Sequence, residues 1–267
     1  FEQGYGPIKV FKEPVAGHTY VLTHDGGHGR AQNFSVMHVW DASVWPIEEV
    51  ALFRDNVTKP FMQAIYAVHL CRRYNDALYA PEANGPGETC ISHVKNDHDY
   101  WNIVKKLREE GPQNKVVEQF GFPVQERFKV RAVIEFHDAW LEDEILIHSQ
   151  ETYEDAAHYV DKSDNKDKPD YCAEDGAFDD CMSSAILIVP AIKYLTRGIW
   201  GRVKTEQENL PQRIQRSREI FKFPATGVSG IKTFWVDLKD WKKALTEDGN
   251  SSVHDTDAEE WSSDAPK

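Results

Sequence analysis

Two runs near the N-terminus, His18 to Thr23 (HTYVLT) and Phe34 to Trp40 (FSVMHVW), are dense in β-branched and aromatic residues. The Gly-containing stretch HDGGHGRAQN between them predicts two strands joined by a loop. A third run, Val44 to Phe53, completes a meander. An amphipathic helix opens at Thr58 or Lys59 and continues through Phe61, Ile65, Val68, Leu70 and Cys71, with Pro60 tolerated in its first turn. Ala77 to Pro81 is short and apolar and is followed at once by Glu82 and a Gly/Pro-rich loop, the pattern of a buried strand ending in an acid.

Asp97 to Gln119 is polar and mixed, and its pattern commits to no element. Glu126 to Leu141 places Phe128, Val130, Val133, Ile134, Phe136, Trp140 and Leu141 on a helical face. A short strand at Ile145 to Ile147 and a short helix at Glu151 to Val160 follow, then a charged, exposed loop over Asp161 to Asp170. Phe178 to Leu195 reads as one strongly apolar helix with Asp179 and Asp180 at its head. Arg197 to Lys222 is basic, and the stretch from Thr246 is rich in Ser, Asp and Gly, the composition of a disordered tail. The expected organisation is one domain over 1–245, of which 196–245 is a C-terminal extension, and an acidic tail over 246–267.

A chain of 267 residues with 40% hydrophobic content is large enough to bury a substantial core. No basic segment followed by an apolar stretch and a small-residue cleavage site opens it, so no export signal is expected, and the chain reads as a trimmed fragment. The longest apolar run, Ala185 to Ile192, is interrupted by Pro190 and is too short to cross a bilayer, which predicts a soluble protein with no membrane partner. Cys71, Cys90, Cys172 and Cys181 lack zinc-ribbon or C-x-x-C spacing and are expected to be buried thiols in a reducing compartment. The net charge of -13 argues against a nucleic-acid partner, because phosphate contacts need Lys and Arg. Seven of the acids, however, fall between Glu247 and the C-terminal Lys267. The remainder is still acidic, as expected of carboxylates gathered around cations or of a surface adapted for solubility.

The informative pattern is one acid at an end of each of three apolar elements: Asp25 after HTYVLTH, Glu82 after ALYAP, and the Asp179/Asp180 pair before CMSSAILIV. Ionised carboxylates beside a core are costly unless something neutralises them. Hard divalent cations prefer oxygen ligands, and two of them about 3.5–4 Å apart activate water and stabilise the leaving oxygen in phosphodiester hydrolysis. Taken singly, each acid has a plainer role: Asp25 as a turn former before Gly26 and Gly27, Asp179 as a helix N-cap, Glu82 as an edge charge.

The ordered segments YVLTHDGGHGRAQNFSV, YNDALYAPEANGPG and GAFDDCMSSAIL resemble the nuclease domain of viral (tailed-phage type) terminase large subunits. In that family a first-strand Asp with a Gly-containing loop, a Glu followed by Asn-Gly-x-Gly, and a Gly-x-x-Asp-Asp helix start recur in this order. The likeness extends from about Gly4 to Leu195. It implies an α/β, RNase H-like fold: a mixed central sheet whose first three strands are antiparallel, with the Glu82 strand parallel to the first and helices on both faces. It also implies a catalytic, metal-binding set of Asp25, Glu82 and Asp180, with Asp179 as helper or cap, holding Mg²⁺ or Mn²⁺, as two ions. Two positions depart from the family: Asn33 stands where a further Asp is usual, and Phe178 where His is common. Weak binding of a second metal, reduced activity or a preference for Mn²⁺ is the expected consequence.

His24 and His28 stand four apart in a Gly-rich loop rather than on a helix, so a two-His metal site is not expected, although His28 is placed to make a second-sphere contact. GVSGIKTF superficially suggests a phosphate loop but has the wrong spacing, so no ATP site is expected in this chain. The tryptophans fall mostly on apolar faces and are read as core. By resemblance, the activity is cutting of concatemeric double-stranded viral DNA during packaging into the capsid, in the host cytoplasm. The implied partners are the terminase ATPase domain, the small terminase subunit and the portal. Alternatives are another RNase H-like nuclease, of resolvase or integrase type, and a weakly active docking module of the packaging motor.

Overall fold

The structure, a computed structural model, describes residues 3–31, 33–110, 115–163 and 169–197. The basic 202–222 segment and the acidic tail lie outside these residues. The predicted meander is present as β3 (Tyr20–Asp25), β4 (Ser35–Asp41) and β5 (Ile47–Asp55). Each of the three begins and ends later than the apolar runs indicate, so Asp25 is the last residue of its strand rather than part of the turn after it. Two short strands, β1 (Gln3–Tyr5) and β2 (Ile8–Val10), extend the sheet past β5. They were not evident in the sequence because three residues are too few to display a period.

After β5 come α1 (Pro60–Arg73), β6 (Leu78–Pro81) and α2 (Pro86–Asn96). Next are the hairpin β7 (Lys105–Glu110) and β8 (Lys115–Phe120), then α3 (Glu126–Leu141) and β9 (Ile145–Leu146). The chain continues with α4 (Gln150–Ala157), β10 (Tyr159–Asp161), β11 (Tyr171–Ala173), α5 (Asp180–Ala185) and α6 (Ile188–Arg197). The main sheet has seven strands in the order β1-β2-β5-β4-β3-β6, with β9 alongside β5. Pairing is antiparallel from β2 through β5 and β4 to β3, and parallel between β3 and β6. This is the mixed sheet with flanking helices that the resemblance implies.

Alternation along the strands divides the core in two. Leu22, Met37, Val39 and Phe53 pack with Ala64, Leu70 and Cys71 of α1 and Ile91 of α2. Their neighbours Val21, Trp40, Leu78 and Ala80 face Val133 and Phe136 of α3, Met182 of α5 and Ile188 of α6. Adjacent residues enter opposite clusters because a strand turns successive side chains to opposite faces. With both faces covered, β4 is buried along its whole length, and each large apolar side chain withdrawn from water contributes about 1.5–3 kcal/mol.

Three sequence expectations need correction. Phe61 and Ile65 of α1 are exposed, and the buried stripe runs through Gln63, Ala64, Ala67, Val68, Leu70 and Cys71. Ile134 and Leu141 of α3 are likewise exposed. The helix expected over Phe178 to Leu195 is two helices that break at Ile186 and Leu187. Pro190 forces that break, since its ring has no N–H and would clash with the carbonyl four residues earlier in a continuous helix. Cys71, Cys90 and Cys181 are buried free thiols, as their spacing predicts, while Cys172 is partly exposed. Among the described residues, no helix is long and apolar enough to cross a membrane.

Candidate active site

Parallel pairing of β3 with β6 sets His24 opposite Pro81, and the Glu82 N–H donates to the His24 carbonyl at 2.8 Å. Asp25 and Glu82, one residue further along each strand, therefore emerge side by side at the same end of the sheet. Their carboxyl groups lie close enough to perturb each other's acidity. Burial first, and then the negative charges of Glu82, Asp180 and Asp179, push the Asp25 carboxyl well above the usual carboxylate range. Burial also raises Glu82. Asp180 is 6% exposed, and burial, reinforced by Asp179 and Asp155, lifts its pKa to about 6 even though the Phe34 N–H donates to its Oδ2 at 3.0 Å.

Backbone contacts bring these segments together. A Cβ on Gly26 would lie 3.0 Å from the Gly87 nitrogen, and a Cβ on Gly87 would collide with the Glu82 carbonyl oxygen. Only glycine permits the loop after β3 and the start of α2 to touch backbone to backbone. Asn84, in the same Asn-Gly-x-Gly run, donates to Glu82 Oε1 at 2.7 Å and to the Val124 carbonyl at 2.8 Å, which fixes the glutamate against the segment before α3. Asp179 occupies the N-cap position of α5 without making a side-chain cap bond; its Oδ2 instead accepts the Ala173 N–H at 3.3 Å.

A cleft of about 210 Å³ opens over Asp25 and Asp180, lined also by Gly26, Gly27, His28, Arg30, Asn33, Phe34 and Pro86. The structure thus brings Asp25, Glu82 and Asp180 into one neighbourhood, with Asp179 near enough to repel Asp25 electrostatically. As they stand, no group of three or more His, Cys, Asp or Glu side chains among the described residues is gathered tightly enough to hold a metal ion. Asp180 and Asp179 each have one oxygen turned to a backbone N–H. The donor set is nonetheless all carboxyl oxygen, with Asp180 buried and Asp25, Glu82 and Asp179 half-buried, the chemistry suited to a hard divalent ion. A cation among these carboxyl groups would offset the repulsion from Glu82, Asp180 and Asp179 that raises Asp25, so the residues fit such an ion.

His24 is turned away from this cluster by strand alternation, fully buried between Tyr79 Oη at 2.7 Å and Ser35 Oγ at 3.0 Å, and burial lowers its pKa to about 3. His28 is exposed at the cleft. Asn33 lines the cleft beside Asp25 and Asp180, and Phe178 packs edge to face on Phe34 at 5.0 Å. Sequence reasoning missed Arg54, whose guanidinium lies 3.6 Å from the centre of the Phe34 ring, and Arg30, a cation at the cleft mouth. The sequence carries no signal for Arg54, since its partners are brought to it only by the sheet and by the packing of α4 and α5. Asn84 was visible in the quoted motif, but its grip on Glu82 was not.

The architecture is an RNase H-like α/β fold. The large terminase nuclease from thermophilic phage G20c superposes with a TM-score of 0.56 at 15% sequence identity, covering 70% of this chain and 89% of that one. Its form with bound magnesium gives the same score and identity, covering 70% and 88%. The Thermus phage P74-26 large terminase nuclease domain matches with a TM-score of 0.54 at 16% identity, covering 70% and 86%. At these identities the likeness establishes the fold. No protein-family model matches the chain.

Proposed function

We propose that this chain is a metal-dependent endonuclease that cuts concatemeric double-stranded viral DNA as genomes are packaged into capsids in the host cytoplasm. It would work alongside a terminase ATPase domain, small subunit and portal. The observation that carries the reading is the meeting of Asp25, Glu82 and Asp180 at one end of a sheet, in a fold shared with phage large terminase nucleases.

Asp25, Glu82 and Asp180 are the residues that would hold Mg²⁺ or Mn²⁺, as two ions, with Asp179 in support. The ions, when bound, supply Lewis-acid stabilisation of charge on the scissile phosphate and lower the pKa of the attacking water. The remaining work belongs to the chain. Asn84 orients Glu82, the Phe34 N–H orients Asp180, and the Gly26–Gly87 approach holds the two acid-bearing loops together. Arg30 and His28 line the cleft mouth, where they face an incoming phosphate backbone. Phosphate contacts carry no base information, so cutting has little sequence preference. With Asn33 in place of an acid, one carboxylate fewer is available to the second ion, which favours Mn²⁺ over Mg²⁺.

A plasmid-nicking assay with Mn²⁺ tests the proposal. Wild-type protein nicks and linearises the plasmid and EDTA stops it, whereas Asp25→Asn abolishes cutting while leaving the circular dichroism spectrum unchanged. Retained cutting by Asp25→Asn ends the assignment, and a preference for branched DNA or RNA-DNA hybrid would move it to a resolvase-type nuclease.

A further inference from the structure

The geometry points to Arg54 as a positioning residue that aims Asp180 at the metal, an inference that rests on the function proposed above. Arg54 lies on β5 opposite Val36 of β4. Its guanidinium sits 3.6 Å from the centre of the Phe34 ring and 6.0 Å from that of Phe178, and the two rings meet edge to face at 5.0 Å. Both rings belong to the segments that set Asp180 in place. Phe34 supplies the N–H that Asp180 Oδ2 accepts at 3.0 Å, and Phe178 stands two residues before Asp180. On its other side, Arg54 Nη2 is 3.9 Å from Asp155 Oδ1, and Asp155 Oδ2 accepts the N–H of Cys181, the residue after Asp180, at 2.9 Å. A single cation thus touches the groups that hold Asp180 from both directions.

Arg54 is not used up by an ordinary ion pair. Its Nε is buried without a hydrogen-bond partner, and the approach to Asp155 is longer than a hydrogen bond. What it contributes is a flat, permanently charged plate stacked on an aromatic ring, for which lysine, keeping the charge but not the plane, is only a partial substitute. Its charge also counteracts the crowding of Asp179 and Asp155 around Asp180. The position where the family resemblance places a histidine is occupied by Phe178, which has no proton to give and instead completes this stack.

Direct contact between Arg54 and DNA is the competing role. Arg54 does line a cleft of about 440 Å³, but Glu154, Asp155, Glu174 and Asp175 line it too, and those carboxylates repel a phosphate backbone.

The experiment titrates the full chain, without DNA, with Mn²⁺ alone, reading free Mn²⁺ by electron paramagnetic resonance, and follows the Phe34 backbone amide by NMR in metal-free protein. Arg54→Met keeps the length of the side chain but removes the charge and the planar stack. Loss of a group that orients a ligand weakens metal binding about tenfold. That weakening is expected together with a displaced Phe34 amide signal and near-normal nicking at saturating Mn²⁺. Arg54→Lys, which retains the charge, is expected to recover part of the affinity, and it serves as the test should the Met variant not fold. Wild-type Mn²⁺ affinity in the variant that folds, or an unmoved Phe34 amide, overturns the inference. A nicking defect that Mn²⁺ does not relieve and that appears as a raised KM for DNA also overturns it, in favour of direct DNA contact. If the wild-type chain binds no Mn²⁺, the proposed function fails; the Phe34 amide still reports whether Arg54 holds the Asp180 site.

Discussion

Replacing Asp180 with Asn should make the metal-free protein more stable and the metal-loaded protein less so. In the folded state the Asp180 carboxyl titrates near 6, against 3.8 for an ordinary aspartate. The folded protein therefore holds this proton more tightly than the unfolded chain. Stability from this group is present below pH 3.8 and is lost as pH rises through 6. A gap of roughly two units corresponds to about 3 kcal/mol. The cleft admits solvent, which screens the charge, so about 1–2 kcal/mol is the working figure. Asn cannot ionise and keeps an acceptor for the Phe34 N–H, so the variant should escape most of that loss. For a domain of this size the gain is roughly 3–6 °C in Tm at pH 8 in EDTA, and it should vanish near pH 4. Saturating Mn²⁺ should reverse the order, because a ligand at a hundred times its Kd stabilises the wild type by about 2.7 kcal/mol and the variant has lost a ligand. Urea denaturation at pH 4 and pH 8, with EDTA or Mn²⁺, measures all of this. A variant less stable than wild type in EDTA at pH 8, or one stabilised by Mn²⁺ as much as wild type, refutes the reasoning.

Two other perturbations probe separate parts of the structure. Gly87→Ala drives a methyl group into the Glu82 carbonyl and should cost about 1–3 kcal/mol, with nicking reduced by more than the fraction unfolded explains; an unchanged melting curve would mean that Gly87 does not abut the Glu82 carbonyl. Glu49, fully buried beside His38 and accepting N–H bonds from His148 and Ser149, is raised by burial to about 7. The folded protein thus retains this proton above the pH at which the unfolded chain releases it. Glu49→Gln should be neutral at pH 4 and stabilising by up to about 3 kcal/mol at pH 8; thermal melts across that range check it, and a pH-independent difference would show that Glu49 ionises normally.

Much of this protein is legible residue by residue. Runs of β-branched and aromatic residues mark β3, β4 and β5, an amphipathic pattern with Pro60 marks α1, and a helical face marks α3. These patterns follow from the covalent geometry of a strand and a helix, which any short window displays. The acids at Asp25, Glu82 and Asp180 were equally visible, because each stands where an apolar element begins or ends.

Tertiary structure decided what those acids do to one another. Parallel pairing of β3 with β6 makes Asp25 and Glu82 neighbours, the Gly26–Gly87 contact brings their loops together, and packing of α5 across the sheet delivers Asp180 to the Phe34 N–H. The edge strands β1 and β2, the helix α2 behind Glu82 and the stack of Arg54 on Phe34 gave no local signal. Periodicity records only which way a side chain faces. Proximity between residues 25, 54, 82 and 180 is created when distant backbones pair and pack, and the altered acidity of these carboxyls exists only after that has happened.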